Sequence, residues 1–553
     1  MKSVILKYVL KNVHEFGSVN QKVVLGLVLR EIPDLKKDVP SVLKVIAETV
    51  KEVEKLSSEE IIEKLKEIDP SLLEKEEKKK KKKGELPELK GAEQGKVVTR
   101  LPPEPSKYLH LGHAASFLIN YLYSLKYEGK CILRFEDTNP EKASEEFVES
   151  IKHDIFDYLG VKPFKTVFVS DHMEKYYLFV EKLINHKQVY TCHCLSEKIS
   201  KYRRAMKACS CRKKSWEGIK LEWEQMKTGN VAEGSVTLRL KIDMQHKNAV
   251  MRDPVIFRLS YKPHYRQQDK YKVWPMYDFE NAIEEGLQGI THVLRSNEFA
   301  SRIELQDYIR GLFDLPNPIV RQYARFNIAG ATTKGREIRS LIESGEYIGW
   351  DDPRLVTLQA LRRRGIVKEA FYELAKIVGL SKTTSNLDFS VLAAINRKLL
   401  DEQASRLYAI FDPVSVVVSG ATDKKVELDL HPHKRKGGRK FIVNGSFYLS
   451  KKDVDSVKEG EVIRLIGCYN IKKVKDEFVY DSEENIKGIK KVHWLPVDSV
   501  VSLKVLMDNA KWQEGYAEET IEKLKEGEIV QFERTFFARL DSKKDKEFWY
   551  THT

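Results

Sequence analysis

The feature that most constrains this chain is a repeated order of short apolar strand, helix and strand. Strand-like runs occupy 96–100 (KVVTR), 131–137 (CILRFED) and 166–170 (TVFVS), and helical patterns cover about 112–127 and 141–159 between them. Units of this kind at this spacing favour a parallel, doubly wound sheet with helices on both faces. The central part of the chain is therefore predicted to be α/β.

Other regions have different patterns. The alternation stops between about 190 and 270 and resumes at THVLRS (291–296). From Gly365 the pattern is mostly helical to about Phe411, and beyond Pro413 strand-like runs alternate with turn residues. Several short strands in this last stretch predict one or two small barrels. A chain of 553 residues is thus expected to hold several domains.

Residues 1–77 are predicted to form a small helical module. Ser57 and Glu60 have the spacing of a capping box, in which two side chains satisfy backbone N–H groups at a helix start. The lysine run 78–83 carries six like charges that repel one another. We therefore interpret residues 78–95 as a solvated, charged linker.

Charge and cysteine usage limit the class of protein. The chain has 96 Lys and Arg against 82 Asp and Glu, and this net charge of +14 suits a polyanionic partner such as nucleic acid. A soluble protein that is simply rich in lysine is the alternative. No apolar run reaches the roughly 18 residues of a membrane span, and no secretory pattern opens the chain. Six cysteines are too few for a disulfide scaffold, which favours a reduced, cytoplasmic setting.

The strongest chemical signal is the segment PPEPSKYLHLGH (102–113), between the first predicted strand and the first helix. Ligands bind at such strand-to-helix turns in open α/β sheets. His110 and His113 are three residues apart at the helix start, where unpaired N–H groups attract phosphate. Gly112 lets the backbone approach a nucleotide. We interpret the two imidazoles as phosphate ligands; an ordinary helix cap is the alternative.

Four blocks, in order along the chain, resemble the class I glutamyl- and glutaminyl-tRNA synthetases. They are VVTRLPPEPSKYLHLGHA (97–114), RFEDTNP (134–140), YDFENAIEEGLQGITHVLRSNE (277–298) and GWDDPRL (349–355). The helical N-terminal module and the β-rich C-terminal region are similar to the archaeal and eukaryotic type of glutamyl enzyme. The resemblance implies a Rossmann-type catalytic core that uses ATP and Mg²⁺, with L-glutamate and tRNA as substrates.

The resemblance also implies an amino-acid pocket. Arg100 matches the arginine that binds a substrate carboxylate, and Glu136 matches the residue that holds the α-ammonium. Tyr277 and Asn281 match residues beside the substrate. Arg295 stands where the glutamate enzymes carry arginine and the glutamine enzymes carry an uncharged residue. A guanidinium pairs bidentately with a carboxylate but not with an amide, which favours glutamate; a structural arginine at a strand end is the alternative.

One loop departs from the family's pattern. In RFNIAGATTKGREIRSLIESG (325–345), an ungapped match puts Lys334 at the usual serine and Gly335 at the usual lysine, while Arg336 keeps its position. The resemblance gives the usual lysine the role of neutralising the leaving pyrophosphate. We expect Lys334 to replace it. The alternatives are slow activation or a catalytically weakened, tRNA-binding relative.

Four of the six cysteines fall within twenty residues of the interrupting region, as Cys192, Cys194, Cys209 and Cys211. Two such pairs supply the four thiolates of a tetrahedral Zn²⁺ site. We expect a structural zinc that rigidifies this region, and four free thiols are the alternative. His193 is expected to be a bystander.

Further predictions concern macromolecular partners. Arg362, Arg363 and Arg364 follow the GWDDPRL block and are predicted to contact tRNA phosphates, with a solvated helix end as the alternative. The basic segment HPHKRKGGRK (431–440) suits an anticodon stem. The alternative to a solvated linker for the lysine run 78–83 is a tether for tRNA. The N-terminal module is a candidate site for a protein partner.

These interpretations define the expected organisation and reaction. The expected segments are 1–77 (helical N-terminal module), 78–95 (charged linker), 96–190 and 271–365 (two halves of the Rossmann core), 191–270 (acceptor-binding insertion), 366–412 (helical connector) and 413–553 (β-barrel anticodon-binding region). The expected reaction joins L-glutamate to the 3′ end of tRNA(Glu) through glutamyl-adenylate. Whether tRNA(Gln) is also charged with glutamate stays open, and a glutaminyl-tRNA synthetase is the nearest alternative.

Overall fold

The computed structural model describes residues 1–69, 86–328, 332–381 and 385–553. The chain divides into two units, Met1–Glu85 and Leu86–Thr553. The lysine run 78–83, for which we predict a linker or a tether, lies outside the described residues. Of the helices that the structure describes, none is long and apolar enough to cross a membrane.

The first unit is helical, as the sequence predicts. Its helices are Lys2–Phe16, Gln21–Glu31, Val39–Val53 and Ser58–Ile68, with a 3₁₀ turn at Pro33–Lys37. Ile5, Val24 and Ile46 are fully buried in its core. The predicted capping box is confirmed, because Ser57 Oγ accepts a hydrogen bond from the Glu60 N–H and the Ser57 N–H donates to the Glu60 carboxylate.

The second unit contains the predicted parallel sheet. Its three neighbouring strands are Val98–Leu101, Lys130–Phe135 and Lys165–Phe168. A further parallel pair, His292–Ser296 with Ile319–Tyr323, lies beside the first strand, because the Thr291 N–H donates to the Val98 carbonyl oxygen at 3.0 Å. The carboxyl ends of these strands therefore meet at one edge, where ligands bind in open α/β sheets.

Helices follow the strands of the sheet along the chain, and some of them pack instead against the inserted region. They are Leu111–Lys126, Glu145–Lys152 with a π-helical continuation at His153–Tyr158, Met173–Asn185, Tyr277–Leu287, Ile303–Gly311, Gly335–Glu343 and Leu358–Arg363. Leu118, Leu133 and Ile155 are fully buried in one cluster, where the helix Leu111–Lys126 and the π-helical segment His153–Tyr158 meet the strand Lys130–Phe135. The apolar faces of the helices thus position the polar residues at the strand ends.

The region that interrupts the alternation has its own antiparallel sheet. Its strands, in order across the sheet, are Val189–Cys192, Thr237–Leu240, Val255–Leu259 and Val273–Pro275. Helices Ser196–Arg204 and Trp216–Thr228 lie in the connection between the first two strands. The fully buried Trp223 and Trp274 belong to its core.

Beyond Gly365, helices Lys368–Val378 and Phe389–Asp401 are present as predicted, but the chain between 402 and 411 differs from the prediction. Ser405–Leu407 and Ala409–Phe411 are strands. The first of them pairs in parallel with Ile529–Phe532. This long-range pairing decides the local conformation, which a helical pattern in a short stretch of sequence does not reveal.

The C-terminal region is β-rich, as predicted, and consists mainly of two seven-stranded sheets, with a short helix at Lys451–Ser456 and a 3₁₀ turn at Glu519–Lys523. Its remaining strands are Pro413–Ser419, Lys424–His431, Arg435–Val443, Ser446–Ser450, Val462–Leu465, Asn470–Val474, Glu477–Ser482, Lys490–Val492, Leu495–Pro496, Val501–Leu506, Trp512–Ala517, Phe536–Ser542 and Glu547–His552. Trp494 and Trp549 are buried, one in each sheet's part of the core. The basic segment 431–440 spans the turn of the hairpin between 424 and 443.

Candidate active site

Two histidines close the turn between the first core strand and the helix Leu111–Lys126. His110 Nδ1 accepts a hydrogen bond from the Gly112 N–H, and His113 Nδ1 accepts one from the His110 N–H, both at 3.1 Å. Burial, together with the positive charge of Lys107, lowers the pKa of His110 to about 4 and lowers the pKa of His113 well below its ordinary value. Both imidazoles are therefore neutral near pH 7.

These hydrogen bonds decide which ring nitrogens carry the protons. A neutral imidazole has one N–H, and an Nδ1 that accepts from a backbone N–H leaves the proton on Nε2. His110 and His113 therefore each keep an Nε2–H donor that the helix cap does not use. Their ring centroids are 3.8 Å apart, so the two donors serve one small region at the helix start. The cap and the phosphate-binding role are compatible, although the sequence presents them as alternatives.

A small cavity lies beside His110. Its volume of about 10 Å³ has room for roughly one water molecule. Lys107, Thr332, Gly335 and Trp350 also line it. The segment before the helix Leu111–Lys126 therefore lies against the loop 332–336, which departs from the family's pattern. Two parts of the sequence more than two hundred residues apart share this wall.

In that loop, Lys334 precedes the helix Gly335–Glu343 and its ammonium lies 2.7 Å from a Glu337 carboxylate oxygen. The Lys334 side chain is 77% exposed, and Arg336 is exposed as well. Residues 329–331 of the matched segment lie outside the described residues. The loop therefore holds its lysine in a local surface ion pair.

Glu136 directly follows the strand Lys130–Phe135 and is contacted by Asn281. One Glu136 carboxylate oxygen accepts from Arg134 Nη2 at 2.8 Å and from Asn281 Nδ2 at 3.0 Å. The Asn281 Oδ1 atom has no hydrogen-bond partner among the described residues although it is buried. A carboxylate and an unpaired amide oxygen in one place suit an ammonium group.

Arg295 lies near the end of the strand His292–Ser296 and is only 6% exposed. Its Nε and Nη1 atoms are buried and have no hydrogen-bond partner in the described part of the chain. The charge of Arg295 interacts with Asp278 and with the face of the Phe299 ring, but an anionic ligand that accepts from these two nitrogen atoms would remove the cost of burying them without hydrogen bonds. Burial raises the pKa of Tyr277, on which the charges of Glu136, Arg295 and Arg100 also act. These predicted pocket residues are therefore close together.

Arg100 is held by charges that the sequence analysis missed. Its Nε lies 3.3 Å from Glu285 Oε1, and Glu285 Oε2 accepts from Arg310 Nη1 at 3.1 Å. All three side chains are at most 3% exposed. Glu285 lies within the matched block 277–298, but its role is recognised only from its contacts with two distant arginines, and Arg310 lies outside the matched blocks. Arg134, in contrast, stands two residues before Glu136 in one extended segment, and such residues share a face.

The four clustered cysteines converge. Their sulfur atoms all lie within 4.8 Å of one another, and Cys192 Sγ and Cys209 Sγ are 3.8 Å apart. Four Zn–S bonds of about 2.3 Å in a tetrahedron give sulfur–sulfur distances of about 3.8 Å. The buried Arg239 guanidinium lies 3.8 and 3.9 Å from these two sulfur atoms and offsets thiolate charge. The donor set therefore fits zinc.

His193 lies between the first two of these cysteines in the sequence but contacts other groups. Its Nδ1 lies 3.1 Å from the Ser235 carbonyl oxygen and its Nε2 lies 3.2 Å from a Glu222 carboxylate oxygen. These contacts are consistent with the bystander role that the sequence analysis gives it.

The three consecutive arginines after GWDDPRL have different surroundings. Arg362 is exposed and contacts the His153 ring. Arg364 is only 4% exposed and donates to the carbonyl oxygens of Pro353 and Thr551 at 3.1 and 3.0 Å. Burial leaves Arg364 little surface for a phosphate. Contact with tRNA stays a prediction for this group, and Arg362 is the member best placed for it.

Arg363 joins the core to the C-terminal region. Its guanidinium lies 2.6 Å from an Asp351 oxygen and 2.7 Å from an Asp541 oxygen, and it stacks 4.0 Å from the centre of the Trp549 ring. Asp351 belongs to the GWDDPRL block, so that block and its following arginines contribute to the joint between two regions. The local sequence does not distinguish an arginine that joins two regions from an arginine that contacts a phosphate.

Comparison with known proteins agrees with this geometry. The family model described as the catalytic domain of class I tRNA synthetases (E and Q) matches residues 96–402. Two models described as anti-codon binding domains of the same synthetases match residues 404–493 and 491–541. The three matches follow one another and extend over the second unit of the chain.

Similar full-length relatives are archaeal proteins named glutamate–tRNA ligase. That of Pyrococcus abyssi is 39% identical, with 98% of this chain and 97% of that protein aligned. Those of Methanocaldococcus jannaschii and Nitrosopumilus maritimus are each 37% identical, with 99% of both chains aligned. A solved glutamate tRNA ligase from Elizabethkingia meningosepticum, in complex with its amino acid, has a TM-score of 0.41 at 16% identity and covers 56% of this chain and 70% of its own.

Proposed function

This chain belongs to the class I tRNA synthetases for glutamate and glutamine, and we propose that it joins L-glutamate to the 3′ end of tRNA(Glu) with ATP. The observation that carries the choice of amino acid is the buried guanidinium of Arg295, whose Nε and Nη1 have no partner among the described residues. The side-chain carboxylate of glutamate supplies two charged acceptor oxygens for these nitrogen atoms. The amide of glutamine supplies one uncharged acceptor oxygen and an NH₂ group that cannot accept from the guanidinium.

The other pocket residues orient the rest of the amino acid. Glu136 and the Asn281 Oδ1 atom accept hydrogen bonds from the α-ammonium, and Tyr277 closes the pocket beside them. Arg100, held by Glu285, directs its guanidinium to a substrate carboxylate. Fixed, buried groups of this kind bind without reorganisation, which lowers the cost of holding the reacting carboxylate in place.

The reaction has two displacement steps. A carboxylate oxygen of glutamate attacks the α-phosphorus of ATP, and the bond to the bridging oxygen breaks so that pyrophosphate leaves with the electron pair. A hydroxyl of the terminal ribose of tRNA then attacks the glutamyl carbonyl, and AMP leaves. The Nε2–H groups of His110 and His113, with Gly112 at the helix start, donate to phosphate oxygens as charge grows there. Lys334 and Arg336 approach the phosphates from the facing loop, and Mg²⁺ offsets phosphate charge.

A charging assay tests this function. Purified protein is incubated with ATP, tRNA(Glu) and labelled glutamate or glutamine, and acid-stable label on tRNA is measured. We expect efficient charging with glutamate and little with glutamine. Preferential charging with glutamine would make the chain a glutaminyl enzyme, and no charging with either would make it a weakened, tRNA-binding relative. Parallel reactions with tRNA(Gln) decide whether that tRNA is also glutamylated.

We further propose a structural Zn²⁺ at Cys192, Cys194, Cys209 and Cys211. When bound it cross-links two segments of the insertion, which the Arg239 guanidinium supports by offsetting thiolate charge. Metal analysis of the purified protein is expected to give one zinc per chain. Cys209→Ser is expected to lose it, whereas the control Cys468→Ala, at a cysteine in the C-terminal region, is expected to keep it. Equal zinc content in both variants would place the metal elsewhere.

The remaining parts receive roles that follow from this function. We propose that segment 191–270 binds the acceptor end of tRNA and that 413–553 binds the anticodon arm, with Arg362 as the most exposed phosphate contact of its group. The protein acts in the cytoplasm in this proposal, where tRNA and ATP are available. The helical module of residues 1–77 is proposed to dock a protein partner.

A further inference from the structure

Lys107 and Gly335 are neighbours in the lining of the cavity beside His110. A Cβ atom built on Gly335 would lie 3.7 Å from Lys107 Cβ and 4.0 Å from the Trp350 ring, both ordinary contact distances. The backbone of Gly335 is helical, so a side chain is tolerated there. A side chain at 335 and the one at 107 therefore begin within van der Waals contact of each other and enter the same wall of the cavity.

The two lysines near this wall differ in how their charge is used. The Lys334 ammonium is paired with Glu337 at 2.7 Å, and its side chain is 77% exposed. Lys107 is partly buried and has no ion pair or hydrogen bond through its ammonium in the described part of the chain. Its positive charge acts on the imidazoles of both His110 and His113. Among the described residues, Lys107 is thus a cation without an ion pair that lines the same cavity as His110.

We propose that Lys107 supplies the positive charge to the leaving pyrophosphate, in place of the family's lysine at the position that Gly335 occupies here. The inference rests on the proposed function, because it concerns the first displacement step of that reaction. When the bond between the α-phosphorus and the bridging oxygen breaks, the electron pair moves onto pyrophosphate. An ammonium beside the two imidazole donors stabilises this charge without accepting or giving a proton.

The test measures tRNA-dependent exchange of pyrophosphate into ATP for Lys107→Met, Lys107→Arg, Lys334→Met and the control Lys142→Met. Lys142 is an exposed lysine of the same unit and lies outside the cavity lining. Loss of a charged hydrogen bond at the transition state corresponds to about tenfold to a hundredfold in rate. We expect that loss in the exchange rate of Lys107→Met with a raised KM for pyrophosphate, a smaller loss in Lys334→Met, partial retention in Lys107→Arg and no loss in Lys142→Met.

Swapping the residues at these two neighbouring positions gives a sharper result. The double variant Lys107→Gly with Gly335→Lys moves the ammonium from position 107 to position 335. We expect it to recover most of the pyrophosphate-exchange activity that Lys107→Gly loses. A second readout separates charge from structure: transfer of glutamate from isolated glutamyl-adenylate to tRNA(Glu) involves no pyrophosphate, so Lys107→Met is expected to retain it.

The outcomes distinguish this inference from the function on which it rests. A wild-type protein without exchange activity would overturn the function itself. An active wild type with an unchanged Lys107→Met rate, or with a larger loss in Lys334→Met, would overturn only the role of Lys107. Equal loss of exchange and of transfer in Lys107→Met would show that the residue acts on the fold rather than on the leaving group.

Discussion

The amino-acid pocket and the loop around Lys334 both depend on charged residues, but the two regions are built differently. In the pocket, Arg100 and Glu285 are at most 3% exposed and are fixed by contacts across the fold. In the loop, the Lys334 and Glu337 side chains are 77% and 50% exposed. A buried ion pair is fixed by the fold around it, whereas an exposed pair is screened by water and contributes little. The charges of the pocket are thus held in place by the fold, and the ion pair of the loop contributes little to the order of the loop.

The largest effect is expected from a variant that disrupts the buried ion pairs of Glu285 with Arg100 and Arg310. Glu285→Gln removes the carboxylate between two buried arginines, so that Arg100 loses its ion pair and Arg310 keeps only Asp307, which is expected to cost about 3–5 kcal/mol in the free energy of unfolding. Urea denaturation measures this loss. The control is Glu298→Gln, whose pair with Arg325 has side chains 48% and 64% exposed and which is expected to change stability little. Similar losses in both variants would remove the contrast between buried and exposed charge.

An intermediate effect concerns the histidine pair, which lies between the two regions. The pKa of His110 is about 4 in the folded chain, against an ordinary value of 6.5. Between these values the unfolded chain binds a proton that the folded chain does not, so stability is expected to fall as pH falls from 6.5 to about 4. One such proton gives a slope of about 1 kcal/mol per pH unit.

Urea denaturation of the ligand-free protein at several pH values measures that slope. His110→Gln is expected to reduce the slope by the share of one proton, because other buried histidines such as His493 and His552 titrate in the same range, and the control His186→Gln, at an exposed histidine, is expected to leave the slope unchanged. An identical slope in wild type and His110→Gln would mean that the imidazole is not held neutral by the fold.

The smallest effect is expected in the loop. Glu337→Gln removes the partner of Lys334, but both side chains remain in water, so the unfolding midpoint of the ligand-free protein is expected to stay unchanged. Thermal unfolding followed by circular dichroism measures it. A decrease comparable to that of Glu285→Gln would show that the loop is as rigidly built as the pocket, and the comparison between the two regions would fail.

Much of the core could be predicted from the sequence because local pattern and topology agree there. The runs beginning at Lys96 and Cys131 alternate with helices at a spacing that few folds accept, and the capping box at Ser57 is a purely local signal. These predictions rest on interactions between residues that are near in sequence or on a shared edge of the sheet. The pocket residues, in contrast, follow from the resemblance to a known family.

The rest depends on contacts between distant parts of the chain. Glu285 gains its meaning only from Arg100, 185 positions earlier. Arg362 and Arg364 look equivalent in sequence, yet one is exposed and the other is buried against the last strand. Strand Ser405–Leu407 exists because a partner strand arrives from beyond residue 528. Burial and pairing of this kind are properties of the assembled fold.

The most direct test of the account measures how Arg295 divides glutamate from glutamine. Charging of tRNA(Glu) is compared for wild type, Arg295→Gln and the exposed control Arg325→Gln, with kcat/KM determined for each amino acid. We predict that Arg295→Gln lowers kcat/KM for glutamate about tenfold or more and reduces the preference for glutamate over glutamine, while Arg325→Gln keeps both values. An Arg295→Gln enzyme with the wild-type preference would contradict the central claim that this buried guanidinium selects the amino acid.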